Sequence, residues 1–229
     1  MKDYSVLERN LGYSFQDKKL LAHALTHSSY ASEHDLAYSK NNERLEFIGD
    51  AYLDAIIGNK LYEVMPNQPE GVLSKTRANI VCERSLATIA RNIGLGDFLF
   101  LGNGEEMYGG REKDSILADA VEAIIGAIIR ESGYDCADRV VLKLFEENIL
   151  LALQGKLYHD YKTTLQEKLQ ERYKNVRIQY ESVSESGPDH RKVFTVQVKV
   201  DDAVLATGSG HSKKAAEQEA ARKVLMKGV

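Results

Sequence analysis

The chain is short of the residues that mark secreted, zinc-binding or membrane proteins. Its 229 residues include two cysteines, three prolines and no tryptophan. Cys82 and Cys136 lack metal-ligand spacing, so we expect two buried free thiols and neither a disulfide framework nor a zinc site. No apolar run approaches the roughly 18 residues of a membrane span. The opening segment MKDYSVLERNLGYSF lacks the apolar core of a signal peptide, so we expect a cytoplasmic protein without membrane contact.

Charge is divided unevenly along the chain. The net charge is −4, but residues 1–156 carry 17 Lys and Arg against 24 Asp and Glu, whereas residues 157–229 carry 13 against 10. An acidic first part and a basic second part indicate a body that holds cations and a module that meets an anionic polymer. A difference of this size is also common on ordinary solvated surfaces.

Helical patterns fill the first part of the chain. One long helix is predicted over 43–65, where a proline stops it, and a second over 72–93. A glycine-rich loop follows, and Asp114 or Ser115 is expected to cap the next helix. A helix over 136–153 closes this part.

A different period begins after about residue 154. The predicted elements are a helix over 161–172, strands over 176–181, 194–200 and 204–207, and a helix over 212–227. Alternation of apolar and polar residues is typical of half-buried strands, and Asp201 with Asp202 predicts a hairpin turn. We therefore predict a multidomain protein with an all-α domain over 1–153, a linker over 154–158 and an α-β-β-β-α (α+β) domain over 159–229.

Acids stand among apolar residues in two of the helical segments. Asp119 and Glu122 are the only charges in ILADAVEAIIGAII, residues 116–129, and NERLEFIGDAYL, residues 42–53, contains Glu46 and Asp50. Side chains three or four apart share a helix face, so these acids face the same way as the apolar stripe. Burial penalises an isolated carboxylate, and a hard divalent cation is the obvious partner.

These four acids can form one metal site if the two helices cross where the acids lie. Mg²⁺ takes about six oxygen ligands and keeps several waters, so a few carboxylates and a substrate phosphate suit it. Such a site can activate water and neutralise charge on a scissile phosphate. The spacing alone does not establish that the pairs meet, and each acid could instead lie on a solvated helix face.

Two further acids, Glu43 and Glu70, are less specific candidates. Glu43 precedes Glu46 by about one turn. Glu70 opens a helical pattern, where an acid also suits the positive end of the helix dipole. A structural role and a functional role are both open for Glu70.

The second domain offers three groups of residues that could contact a polyanion. They are Thr163, Gln166 and Glu167 on its first helix, His190 in the turn between its first two strands, and Lys213 and Lys214 at the start of its last helix. Lysines at a helix N-terminus add charge to free backbone N–H groups and can clamp a phosphate. A lysine pair by itself is more often ordinary surface, and His190 alone would be an ordinary loop histidine.

Several motifs resemble those of one family. NERLEFIGDAYL resembles the signature of the ribonuclease III family, and SILADAVEAIIGA, residues 115–127, resembles its second acidic motif. KTTLQEKLQ, GPDHRKVFTVQV and GSGHSKKAAEQEAA resemble a double-stranded-RNA-binding domain. The resemblance runs from residue 7 to residue 227 with the motifs in the expected order. The departures, at Tyr52 and Val72, touch no chemical role.

The resemblance implies roles for individual residues. Glu46, Asp50, Asp119 and Glu122 match the family's metal-binding acids, and Asp50 and Glu122 match the pair usually called catalytic. Glu43 and Glu70 match acids that line the cleft. Gln166, His190, Lys213 and Lys214 match positions that meet the RNA backbone and minor groove.

The resemblance also implies an activity. It is that of a homodimeric, Mg²⁺-dependent endoribonuclease, in which Mn²⁺ can substitute, with no small-molecule cofactor. The enzyme would cut double-stranded RNA to 5′-phosphate and 3′-hydroxyl ends in processing ribosomal precursors and some messengers. One alternative is an RNA-binding protein with an inactive nuclease fold, which the four intact acids oppose. Another is a helical metal-binding domain for small phosphate compounds, which would not need the second domain.

Overall fold

The computed structural model describes residues 3–155, 157, 161–173, 176–187, 192–201 and 203–227. The chain divides into two compact units, Met1–Leu157 and Tyr158–Val229. This division falls inside the range predicted as a linker. The role of residues 154–158 as a linker stays a prediction.

The first unit is helical, as predicted. Its helices are α1 (Ser5–Leu11), α2 (Lys18–Ala24), α3 (Ser28–Glu33), α4 (Glu43–Val64), α5 (Glu70–Ile80), α6 (Glu83–Asn92), α7 (Asn103–Met107), α8 (Asp114–Ser132), α9 (Tyr134–Leu144) and α10 (Glu146–Leu153). Short 3-10 turns lie at Tyr38–Lys40, Leu95–Phe98 and Gly110–Glu112. The predicted long helix over 43–65 is α4, which ends just before Pro66 because proline cannot continue the helical hydrogen bonding.

Helix α8 is the central element of the first unit. It packs against α2, α4, α6 and α9, and its residues from Ile116 to Ile128 are buried except Asp119 and Glu122. Each fully buried isoleucine or leucine contributes roughly 1.5–3 kcal/mol to folding. The helix ends at Gly133, whose φ of 77° is readily available to glycine. The apolar run therefore buries α8, and its two acids are carried with it.

Two of the predicted helices are each broken into two. The segment 72–93 contains α5 and α6, separated at Cys82, whose backbone is extended. The segment 136–153 contains α9 and α10, separated at Phe145, which is completely buried. Neither break contains a glycine or a proline. The hydrophobic periodicity therefore continues through both breaks, and the sequence pattern predicts one continuous helix in each segment. Packing of each half against the core sets the bends.

The cap predicted for α8 is also wrong. Its N-cap is Lys113, and Asp114 is already the first helical residue. The Asp114 carboxylate accepts a hydrogen bond from Arg91 Nη2 at 2.6 Å, so it joins α8 to α6 and does not cap the helix. The glycine-rich loop before it contains α7 and a 3-10 turn, held to α3 by backbone N–H donation from Asn103 to Glu33 at 2.8 Å.

The second unit has the predicted order of helix, three strands and helix. The elements are α11 (Tyr161–Arg172), β1 (Ile178–Ser186), β2 (Val193–Val200), β3 (Ala203–Gly210) and α12 (Lys213–Met226). Within the described residues the strands form an antiparallel sheet in the order β1-β2-β3, with Val200 opposite Ala203 across the predicted hairpin turn. Asp201 has a φ of 46°, and Asp202 lies outside the described residues.

Both helices of the second unit cover one face of its sheet. Leu165 and Leu169 of α11 pack with Val198 of β2 and Val224 of α12 in one buried cluster. At Gly208 a Cβ atom would lie 2.2 Å from the backbone nitrogen of Ala220, so glycine lets α12 lie directly on β3. Ser212 caps α12 by accepting a hydrogen bond from Ala215 N–H at 3.1 Å.

The two cysteines and the helices can be compared with the predictions for thiols and membrane spans. Cys82 and Cys136 are free thiols, as predicted, but both are partly exposed and not buried. In the described part of the chain, no helix has the length and apolar character needed to cross a membrane.

Candidate metal centre and nucleic-acid interface

Two glycines bring α4 and α8 into backbone contact where the acids lie. A Cβ atom on Gly49 would lie 1.8 Å from the backbone oxygen of Glu122, and one on Gly126 would lie 2.1 Å from the backbone oxygen of Leu45. Real Cβ atoms do not approach this closely, so any side chain at either position would push the helices apart. The close crossing places Glu46 of α4 beside Asp119 and Glu122 of α8. Sequence reasoning missed both glycines.

The crossing collects three of the predicted acids. Carboxylate oxygens of Glu46, Asp119 and Glu122 all lie within 4.8 Å of one another, and each side chain is partly buried. Among the described residues this is the one group of three or more potential ligands found so close together. The cluster is therefore built from both acidic motifs.

Three predicted acids lie outside this close group. Asp50, one turn further along α4, is exposed, but its charge reaches Glu122. Glu43 accepts a hydrogen bond from the Tyr38 hydroxyl, and the bond raises the Tyr38 pKa. Glu70 is exposed at the start of α5 and accepts a hydrogen bond from Ser74 Oγ at 2.6 Å. The structure brings Glu43 and Glu70 into local contacts and not into the cluster.

Burial and like charge both disfavour ionisation in the cluster. Desolvation, followed by the charges of Asp50, Asp119 and Glu46, raises the pKa of Glu122 to about 8. Desolvation and the charge of Asp119 raise the pKa of Glu46, and desolvation raises that of Asp119. The surroundings of each of these three carboxyl groups therefore disfavour its ionised form.

The cluster fits a hard divalent cation. Its oxygen donors, partial burial and crowded negative charge are what such an ion neutralises, and no nitrogen or sulfur ligand belongs to the group. The neighbouring carboxylate of Asp50 can add a further oxygen or hold a coordinated water. The arrangement suits a hard, oxygen-seeking cation better than a softer metal.

His27 is a neighbour of the cluster that sequence reasoning missed. Its charge lowers the pKa of Asp119 against the raising effect of burial. Ser29 holds the His27 ring in place, because its backbone nitrogen lies 3.2 Å and its hydroxyl oxygen 2.8 Å from His27 Nδ1. The position of His27 depends on an isolated β-bridge between Thr26 and Phe100. No local pattern in the sequence predicts this bridge.

Five of the six residues predicted to meet RNA lie on two helices of the second unit. On α11, Gln166 and Glu167 are exposed and Thr163 is partly buried. Lys213 and Lys214 are exposed in the first turn of α12. His190 lies outside the described residues. The roles of all six residues stay predictions.

Comparison with known proteins supports this division of the chain. Residues 17–149 match the model of a ribonuclease-III-like family, and residues 161–227 match the double-stranded RNA binding motif. The first match contains the acidic cluster and the second contains α11, the sheet and α12.

The relatives extend over nearly the whole chain. A protein named Ribonuclease 3 from Caldanaerobacter subterraneus subsp. tengcongensis is 51% identical over 225 residues, 96% of either chain. Ribonuclease 3 from Campylobacter jejuni is 47% identical over 227 residues, 99% of this chain and 98% of the relative. A crystal structure of the nuclease domain of ribonuclease III from the same species is 50% identical, has a TM-score of 0.60 and covers 65% of this chain and 97% of that one. The chain described here belongs to the ribonuclease III family of endoribonucleases.

Proposed function

We propose that this protein is a Mg²⁺-dependent endoribonuclease that cuts double-stranded RNA and leaves 5′-phosphate and 3′-hydroxyl ends. The observation that carries the proposal is the cluster of Glu46, Asp119 and Glu122 at the α4–α8 crossing. The double-stranded RNA binding motif over 161–227 supports the substrate class. Mn²⁺ can take the place of Mg²⁺, since both are oxygen-seeking divalent ions.

Glu46, Asp119, Glu122 and Asp50 would hold the metal. When bound, the ion supplies Lewis-acid stabilisation of charge on the scissile phosphate and activation of water. Burial and the neighbouring negative charges keep Glu122 mostly protonated near neutral pH when no metal is present, since its pKa is about 8. Glu122 would therefore have to lose this proton in order to hold a cation. Asp50 is exposed to solvent, and its charge acts on Glu122 of the cluster.

The second unit would recognise the duplex by shape. Gln166 and Glu167 of α11, with Thr163, can meet 2′-hydroxyls across the minor groove, and Lys213 and Lys214 can meet phosphates. His190 would add a contact from the turn between β1 and β2. Such contacts depend on A-form geometry and carry little sequence information.

A homodimer is supported by an unusual aromatic residue on α4. Phe47 is 78% exposed, and it lines a groove together with the apolar residues Leu45 and Ile48 and with polar and charged residues that include Glu43, Arg44 and Arg130. A two-fold interface is self-complementary, so an exposed aromatic beside a groove suits a second copy of the same chain. A solved nuclease domain from Campylobacter jejuni is described as having a region involved in dimer formation.

We propose a cytoplasmic enzyme that processes ribosomal RNA precursors and some messenger RNAs. The experiment that tests the activity incubates the purified protein with a long RNA duplex in Mg²⁺ or in EDTA. We expect cleavage with Mg²⁺, no cleavage with EDTA, and binding of the duplex in both conditions. Binding without cleavage in Mg²⁺ would indicate an inactive nuclease fold. Hydrolysis of small phosphate compounds with no action on the duplex would indicate a different substrate.

A further inference from the structure

One carboxylate of the second unit lies between Lys213, which is predicted to contact RNA, and a second lysine, Lys192. Glu185 stands near the end of β1, with Oε1 at 3.1 Å from Lys213 Nζ and Oε2 at 3.1 Å from Lys192 Nζ. Lys213 is one of the two lysines expected to bind phosphate, and Lys192 directly precedes β2. The hydrogen bond from the ammonium group of Lys213 is the main cause that lowers the pKa of Glu185, and the hydrogen bond from Lys192 lowers it further.

The surrounding backbone holds these three charges together. Glu185 pairs with Phe194 across β1 and β2, and the ring of Phe194 lies 5.8 Å from Lys213 Nζ and 5.9 Å from Lys192 Nζ. Phe194 in turn pairs with Gly210 of β3, where a Cβ atom would lie 2.8 Å from the Cβ of Ala215. The start of α12 is thus fixed against the sheet beside the carboxylate.

The contact is too exposed to serve mainly as a support for the fold. The exposed fractions are 36% for the Glu185 side chain, 38% for Lys192 and 60% for Lys213. Exposed ion pairs contribute little to stability, because water screens them and long side chains lose freedom when they pair. The larger effect of Glu185 is on the charge that the surface offers to an incoming polyanion.

We infer that Glu185 is an internal counter-charge that limits how tightly the second unit binds double-stranded RNA. The inference rests on the proposed role of Lys213 in phosphate binding. A phosphate that engages Lys213 must replace the Glu185 carboxylate or approach beside it, and like charges repel. Glu185 therefore weakens binding to any RNA duplex alike and favours release of the cleaved product.

The test compares Glu185→Gln with Glu181→Gln in the full chain. Glu181 is a matched control, because it also lies on β1 and pairs with a lysine, Lys199, at 2.6 Å. Binding to an RNA duplex of about 20 base pairs is measured in EDTA over a series of salt concentrations. Glu185→Gln is expected to tighten binding about threefold to tenfold at low salt and to steepen the slope of log K against log salt by up to about 0.9. Glu181→Gln is expected to change both quantities much less.

A double-mutant cycle with Lys213→Ala locates the effect. The gain from Glu185→Gln should shrink when Lys213 is absent, since the freed lysine is its main source. Weaker or unchanged binding by Glu185→Gln would overturn the inference, and weaker binding would mean that Glu185 positions Lys213 for RNA. An equal gain from Glu181→Gln would also overturn it, because long-range charge would then explain both. If Lys213→Ala leaves binding unchanged, the proposed role of Lys213 fails together with this inference; if it weakens binding while Glu185→Gln has no effect, the inference alone fails.

Discussion

Glu122 is the most strongly perturbed carboxyl of the acidic cluster, and it is also one of the carboxylates proposed to bind the cation. Burial and four neighbouring acids hold its proton, whereas a divalent cation would remove it. A neutral side chain at this position would therefore remove the unfavourable buried charge from the metal-free protein, and it would also weaken metal binding. The two consequences can be measured separately.

Glu122→Gln is expected to abolish most cleavage and leave duplex binding intact. The amide keeps nearly the same shape but removes a full negative charge from the metal site, so we expect a loss of roughly a thousandfold in cleavage rate. Cleavage is measured in Mg²⁺ and binding in EDTA, with the exposed acid Glu147→Gln as a control of equal charge change. Excess Mg²⁺ should restore part of the rate if the defect is in metal affinity. Loss of both activities, or of neither, would contradict the separation of chemistry from binding.

The pH dependence of stability tests the raised pKa of Glu122. The carboxyl has an ordinary pKa of 4.5 when unfolded and about 8 when folded, so the folded protein holds more protons between these values. The free energy of unfolding of the metal-free protein should therefore fall as pH rises through this window. After allowance for solvent screening, we expect Glu122→Gln to remove about 1–2 kcal/mol of that fall. Urea unfolding in EDTA at about pH 5 and about pH 9 measures it, and identical pH profiles for the two proteins would refute the prediction.

At the scale of elements, the α4–α8 crossing makes the site. Neither helix holds a complete set of ligands, and the two meet closely because Gly49 and Gly126 leave room for the opposing backbones. The distance between the helices therefore controls the distance between the carboxylates. Stability and metal affinity should change together when this crossing is altered.

Gly49→Ala is expected to damage both folding and metal binding. The added methyl would meet the Glu122 carbonyl, so the helices must separate, at a cost of about 2 kcal/mol or more. Gly71→Ala in α5 is the control, because a Cβ atom there meets nothing within 4 Å. Urea unfolding and the stabilisation produced by added Mg²⁺ are measured for both. A Gly49→Ala protein with unchanged stability and metal response would contradict the close crossing.

The first turn of α12 should account for much of the salt dependence of RNA binding. Replacing Lys213 and Lys214 by alanine removes two charges from the proposed phosphate contacts, so binding should weaken and its salt slope should become less steep by up to about 2. The control replaces Lys223 and Lys227 by alanine, because this change removes the same amount of charge from the C-terminal end of α12. These lysines donate to carbonyls of Thr207 and Leu205 instead. An equal effect of both pairs would mean that only total charge matters.

At the scale of the whole molecule, each chain supplies a complete acidic cluster. Glu46, Asp119 and Glu122 come from one chain, so a proposed dimer would contain two independent centres. The strands of an RNA duplex run antiparallel, and a two-fold axis would present one centre to each strand. Double-strand cutting would then be the sum of two separate cuts.

A mixed dimer of wild-type chains and Asp50→Asn chains should cut one strand of a duplex. Differently tagged subunits are co-expressed, the mixed dimer is isolated, and products are resolved on native and denaturing gels. Nicked duplex with normal RNA binding is the expected outcome, and the wild-type dimer carrying the same two tags is the control. Complete double-strand cutting would mean that one centre serves both strands, whereas complete inactivity would mean that the centres are coupled.

Local signals in the sequence predicted much of the fold correctly. The alternation along β2 and the return to a helical pattern at residue 212 defined the second unit, because the helix and strand periods differ and each is read from neighbours in the chain. The proline after α4 and the apolar run of α8 likewise identified the two helices that carry the acids. The breaks at Cys82 and Phe145 were missed because tertiary packing produces them, and the residues around them show no local preference for a break.

The sequence by itself determined which carboxylates exist, which helix faces they share and which domain carries the basic charge. Only the tertiary structure decided which acids meet: Glu46, Asp119 and Glu122 come together, and Asp50 lies at their edge. The pairing of Glu185 with Lys192 and Lys213 likewise required the antiparallel register of β1 and β2 and the docking of α12. The reason is the same in both cases. Helical spacing sets contacts over three or four residues, whereas contacts between distant segments depend on how closely two backbones can approach, and here glycines at the crossings set that approach.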